Sequence, residues 1–343
     1  MKNICITIFS RHGTGRWLHT ALLVGYLLVI SAPAVALQRA LIVAVSSYPN
    51  LAPYRQLAGP KNDAREMVDF LVRFQRLERS DITLLADGVV GRDGEPTRAA
   101  IMRALAGLAL QAQPGDIVWI YLAGHGSQQP QPRGRAEPEP DGLDEIFLPQ
   151  DVGRWDGEIG AVKNAIIDDE IGQSLALIRR AGADVTIIFD TCHAGDSVRA
   201  GHRRGSEVLR SVPGAELGIP SRHLVAAASA DSLQIATIPR QRAGGDGKSA
   251  RSTSAATRHT SPREPPLVGR LLALYAGAAH ESTPELNLPI DSPGAKKRGL
   301  FTFTLLSVWA KQPDFPPEAL IREVKLRYRE SNRTSPTPTF EKQ

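Results

Sequence analysis

The chain has 343 residues, 42% of them hydrophobic and 22% charged, an ordinary globular composition that excludes collagen, wholesale disorder and a multi-span membrane protein. Its formal charge is +5, but Lys2, Arg11 and Arg16 lie in the first 36 residues, which hold no acid. Taking those three from the 41 Lys and Arg leaves 38 against 36 acids, a surplus of two. With no basic stretch interleaved with aromatics, that surplus argues against a nucleic-acid partner.

Residues 1–36 read as a secretory signal peptide. Lys2, Arg11 and Arg16 form a basic start, Ala21 to Ile30 an apolar run, and Ala34-Val-Ala36 places small residues where a signal peptidase reads them. The apolar run is far short of the roughly 20 residues a membrane-spanning helix needs, and an uncleaved anchor is the alternative. Either way the remainder, from residue 37 to 343, is expected to be exported, periplasmic or secreted. Cys5 then leaves with the signal, so Cys192 is the lone thiol of the mature chain and has no disulfide partner. Such a thiol is either buried and inert or reactive and open to reversible oxidation.

Beyond the signal, apolar strands alternate with amphipathic helices. Arg39 to Val45 is a short β-branched run suited to a strand covered on both faces. Asn62 is positioned to cap a helix whose stripe is Met67, Phe70, Leu71 and Phe74. Ile82 to Leu85 is a second strand, Thr97 leads a helix through Ile101, Leu105 and Leu108, and Asp116 to Leu122 is a third strand. A helix near Asp169 to Ala181 precedes the strand Asp184 to Phe189, and His223 to Ala228 reads as a further strand. Gln128 to Asp141 is a proline-rich surface insertion, and 240–266 a flexible polar loop between a larger part (37–239) and a smaller part (267–343). The alternation predicts an α/β fold, a mostly parallel central sheet with helices on both faces.

In such sheets ligands meet the chain just past the carboxyl ends of the strands. One strand runs into Ala123-Gly-His-Gly126 and another into Phe189-Asp-Thr-Cys-His-Ala-Gly195, which sets His125 and Cys192 at strand mouths. Cysteine and histidine on neighbouring strand ends can form a nucleophilic dyad, the imidazole taking the thiol proton and passing it to a leaving amine. A backbone-satisfied loop histidine and an inert buried thiol are the bland alternatives. His193, adjacent to the cysteine, points away on an extended chain and is read as structural.

Tyr121 to Gln128 and Asp190 to Gly195 resemble the two active-site signatures of the metacaspases, caspase-like cysteine peptidases. The similarity continues in order through Leu57 to Ala64, Asp141 to Glu145, Ile167 to Glu170, Ala226 to Ser229 and Gly299 to Thr302. The resemblance implies the caspase-like fold, His125 as general acid and base, Cys192 as nucleophile, and the N–H groups of Gly126 and Cys192 as an oxyanion hole. It also implies an acidic S1 pocket from Asp63 and Asp190, hence peptide or protein substrates with Arg or Lys at P1. The chemistry requires no cofactor. Asp144, Asp168 and Asp169 match three positions that bind activating Ca²⁺ in the family, whereas a fourth falls at Arg199, with Asp196 nearby as a substitute. Ala123 and Pro60 replace a serine and a cysteine common in the family. The resemblance further implies a monomer, and self-processing in 240–266, where six Arg and Lys residues from Arg240 to Arg263 offer cleavage sites. A catalytically silent scaffold, an Asp-specific caspase-type hydrolase or a transpeptidase are the rival readings.

Overall fold

Seven-residue apolar runs such as Ile117–Ala123 leave neither face polar, so each must be covered on both sides, and the chain arranges its strands accordingly. The computed structural model describes residues 36–131, 142–192, 207–224, 266–278 and 281–343. In chain order the elements are β1 (Gln38–Ala44), α1 (Pro60–Phe74), β2 (Ile82–Ala86), α2 (Arg98–Gln111), β3 (Ile117–Ala123), β4 (Gly126–Pro130), β5 (Leu143–Phe147), β6 (Trp155–Asp156) and β7 (Ala161–Val162). They continue with β8 (Ile166–Ile167), α3 (Asp168–Arg180), β9 (Asp184–Asp190), β10 (Val208–Leu209), β11 (Leu271–Tyr275), β12 (Pro284–Leu288), β13 (Lys296–Gly299), α4 (Leu300–Trp309), α5 (Pro317–Glu330) and β14 (Thr339–Lys342).

Among the described residues, six strands form the central sheet in the order β14-β11-β9-β3-β1-β2, all parallel except the edge strand β14. Alternate residues serve opposite faces. Ala40, Ile42, Trp119 and Tyr121 join one core with residues of α1, α4 and α5, whereas Leu41, Val43, Ile120 and Leu122 join the other with residues of α2 and α3. This is the α/β architecture with helices on both faces that the alternating pattern predicts. A three-stranded antiparallel sheet, β10-β12-β13, and another, β4-β5-β8, stand beyond the main sheet.

Local readings differ in three places. Helix α1 starts at Pro60, not at Asn62: proline lacks the N–H that a first helical residue would leave unpaired, and Gly59 is the N-cap. The amide of Asn62 instead donates to the carbonyls of Ala58 and Lys297. Gln128 to Pro130 belong to β4, which pairs with β5, so the proline-rich excursion is the connection of a hairpin. His223 and Leu224 are helical, in a turn from residue 221, where the strand His223 to Ala228 was expected; 225–228 lie outside the described residues. All but Ala36 of the predicted signal (1–36) and all but Pro266 of the loop 240–266 lie outside the described residues. Among the described residues, no helix is long and apolar enough to cross a membrane.

Candidate active site

Strands β3 and β9 are parallel neighbours whose last residues, Ala123 and Asp190, are register partners. His125 and Cys192 each lie two residues beyond, so the sheet itself brings the two loops together. The backbones touch: a Cβ on Gly126 would fall on the Cys192 carbonyl, so a residue with any side chain is excluded there. Gly124 makes the preceding bend with φ +157°, and a Cβ on it would meet Tyr48 Oη at 2.7 Å. Tyr48 Oη accepts the His125 backbone N–H at 2.6 Å, and its ring lies 4.8 Å from the imidazole.

His125 Nε2 lies 2.7 Å from the Arg55 carbonyl oxygen. A carbonyl only accepts, so Nε2 carries the proton and the neutral ring presents the lone pair of Nδ1, a buried atom with no hydrogen-bond partner. Burial lowers the imidazole to about 4. Cys192 is 1% exposed, which corrects the reading of a solvent-open, readily oxidised thiol. Its Sγ accepts the Thr283 N–H and lies 3.2 Å from Thr283 Oγ1, and burial pushes the thiol up to about 11.

Asp63, in the first turn of α1, and Asp190, at the end of β9, are both fully buried and meet around one guanidinium. Arg210 Nη2 donates to Asp63 Oδ2, while Nη1 donates to the Asp190 carbonyl at 3.0 Å and lies 3.0 Å from its Oδ2. Glu285 adds a third carboxylate at 3.9 Å from Nη2. Each acid is itself held. Both Asp63 oxygens accept the Gly299 N–H at 3.0 Å, Thr302 N–H and Oγ1–H donate to Asp190 Oδ2, and the N–H groups of Ala58 and Gly59 donate to Glu285. The walls beside the guanidinium are Gly59 and Gly299, where a Cβ would stand 2.7 Å from Nη2 and Nη1 respectively. Burial pushes Asp63 up to about 7, against the pull of Arg210.

The backbone around Arg210 is held just as closely. Its N–H donates to the Thr283 carbonyl, and its carbonyl accepts the Gly126 N–H, both at 3.0 Å. Val212 N–H returns to the Gly126 carbonyl at 3.1 Å. The expected oxyanion donor of Gly126 is therefore engaged by the chain itself.

Neither Arg210 nor Glu285 was named from the sequence. Arg210 stands in an undistinguished polar stretch, and Glu285 in a strand whose leucines alone suggest burial. Of the residues matched to Ca²⁺ positions, Asp144 is buried in β5, while Asp168 and Asp169 open α3, where acids suit the helix dipole. Among the described residues no group of three His, Cys, Asp or Glu is arranged to hold a metal ion, and Asp196 and Arg199 lie outside the described residues.

Residues 38–200 match the family model "Metacaspase, peptidase C14 domain". Metacaspase-1 of Pyricularia oryzae is 35% identical over 143 residues, 42% of this chain and 33% of that protein. Metacaspase-1B of Aspergillus fumigatus is 32% identical over 163 residues, 47% of this chain and 36% of that protein. The matched stretch thus spans about a third of the length of these relatives. The crystal structure of protein GSU0716 from Geobacter sulfurreducens shares the fold, with a TM-score of 0.52 at 20% identity over 90% of this chain and 92% of that one.

Proposed function

We propose that the chain, whose residues 38–200 match the metacaspase peptidase C14 model, is a member of that family and a cysteine endopeptidase cutting after Arg or Lys. Cys192 Sγ attacks the scissile carbonyl after its proton passes to Nδ1 of His125, and the imidazolium then gives that proton to the leaving amine. The Arg55 carbonyl holds the Nε2 proton throughout, which fixes the tautomer this transfer needs. The N–H groups of Gly126 and Cys192 face the charge developing on the carbonyl oxygen.

The observation that carries the specificity is the pocket of Asp63, Asp190 and Glu285 closed around a guanidinium. Buried carboxylates need a cationic partner, and a planar fork can meet two of them at once, so Arg is favoured over Lys. An Asp at P1 would bring a fourth carboxylate and be rejected. Cleavage of otherwise identical fluorogenic peptides with Arg, Lys or Asp at P1 tests this, with Cys192→Ala as the inactive control. Equal cutting after Asp would overturn the specificity, and an active Cys192→Ala the nucleophile. Export remains part of the proposal; an extracellular or periplasmic product beginning at Leu37 is its readout.

A further inference from the structure

We propose that Arg333 reads the fourth residue before the cut bond, so that the enzyme prefers substrates carrying glutamate at P4 as well as arginine at P1. The inference rests on the peptidase reading above and adds a second, opposite charge to its substrate class.

The chain's own residues 207–210 show where a P4 side chain falls. Arg210 fills the acidic pocket, and its N–H donates to the Thr283 carbonyl at 3.0 Å. The residues before it run extended along the edge of β12 in antiparallel register, Leu209 opposite Pro284 and Val208 opposite Glu285. Pairing of this kind is made by main-chain groups that any sequence supplies, so side chains at fixed offsets meet fixed surroundings. A substrate arginine that takes the pocket in the same register therefore sets its P4 side chain where Glu207 stands. The Glu207 carboxylate there accepts from Arg333 Nη2 at 2.5 Å, and the two side chains are only 10% and 13% exposed.

Arg333 belongs to the framework around the cleft and not to the segment lying in it. Helix α5 ends at Glu330, Asn332 turns the chain at φ +54°, and the Arg333 N–H closes back on the Tyr328 carbonyl at 2.8 Å. Tyr328 is buried in the core shared with α1 and α4. Four residues past Arg333, the Thr337 N–H and hydroxyl donate to Glu281, two residues before Thr283. The loop carrying the guanidinium is thus pinned to the core on one side and to the lead into β12 on the other. Its nearest acid in sequence, Glu330, pairs with Arg327 at 3.2 Å, which leaves the Arg333 fork to the chain in the cleft.

The two ends of the cleft therefore carry opposite charge. Asp63, Asp190 and Glu285 take a cation at P1, and Arg333 takes an anion three residues earlier. A charge-assisted hydrogen bond with little water around it is worth about tenfold in binding. Aspartate at P4 is one methylene shorter and reaches the fork less well, while lysine at P4 sets like charges against each other.

The test compares fluorogenic peptides Xaa-Val-Leu-Arg, with Glu, Asp, Gln or Lys as Xaa, on the full chain as wild type, Arg333→Gln and Arg333→Glu, reading kcat/KM beside thermal unfolding. Wild type should favour Glu over Gln about tenfold, with Asp between them and Lys lowest. Arg333→Gln should flatten the series to within about threefold, and Arg333→Glu should reverse it, Lys above Glu. An arginine that only tethered Glu207 would leave the P4 order the same in every form. Should the variants fail to fold, the wild-type series alone decides. Equal kcat/KM on the Glu and Lys peptides, or a Glu preference that survives Arg333→Glu, overturns the inference while the peptidase reading stands. If no Arg peptide is cut at any P4, the peptidase reading falls and takes the inference with it.

Discussion

Replacing Asp63 by Asn isolates the charge proposed to read the P1 side chain. In the structure Asp63 accepts from the Arg210 guanidinium and from Gly299 N–H. Asn keeps an oxygen for Gly299 but removes the negative charge from the guanidinium. Removing one partner of a buried ion pair costs ~3–5 kcal/mol, and since Asp190 and Glu285 remain, the lower end applies. At about 1.4 kcal/mol per tenfold, that is a fall of ~10²-fold in kcat/KM on an Arg peptide. Lys, which presents a point charge instead of a fork, should lose less, about tenfold. With Arg210 in the pocket the thermal midpoint should fall too, because the substitution leaves the buried guanidinium with one carboxylate fewer. Steady-state kinetics on matched Arg and Lys peptides beside thermal unfolding make the comparison. A loss under about threefold with an unchanged midpoint would refute the role given to Asp63.

Three other outcomes follow from the same geometry. Burial pushes Asp63 up to about 7 and lowers His125 to about 4; Asp63 must be ionised to hold a cation beside Asp190 and Glu285, so cleavage of an Arg peptide should weaken as pH falls through 7. In Asp63→Asn that limb disappears and only the one near 4 remains. With burial pushing Cys192 up to about 11, about one thiol in a thousand is ionised at pH 8, against roughly a quarter for a free cysteine. Alkylation by iodoacetamide should therefore run about two hundredfold slower than that of free cysteine; rates equal to free cysteine would contradict the buried thiol. Gly299→Ala suits the local backbone at φ −63°, yet its methyl would take the space beside Arg210 Nη1, so cleavage after Arg should fall at least tenfold while Phe301→Ala, in the core, costs ~3–5 kcal/mol of stability instead.

The central sheet was legible in the sequence because parallel strands covered on both faces need unbroken apolar runs, and β1, β3 and β9 are such runs. The strand-mouth placement of His125 and Cys192 follows from the same physics, since loops past the carboxyl ends of adjacent parallel strands must be neighbours. What stayed hidden was long-range. Glu285 and Gly299 are register partners on β12 and β13, and only that pairing carries a third acid to the pocket of Asp63. Arg210 resembles any basic residue of a polar stretch until the folded chain supplies carboxylates from α1, β9 and β12 around it. The cap of α1 was misplaced by three residues because Asn62 is a good cap in isolation, while Pro60 suits the first helical position and leaves Gly59 as the cap. For His223 the β-branched and small residues after it suggested a strand, but His223 and Leu224 themselves are helical.

The most direct measurement of the account is the rate of cleavage of matched peptides with Arg, Lys or Asp at P1 by the chain after incubation, beside Cys192→Ala. The account predicts cutting after Arg, slower cutting after Lys, none after Asp, and an inactive Cys192→Ala. Cutting after Asp at a rate equal to Arg, or activity that survives loss of the Cys192 thiol, would contradict it.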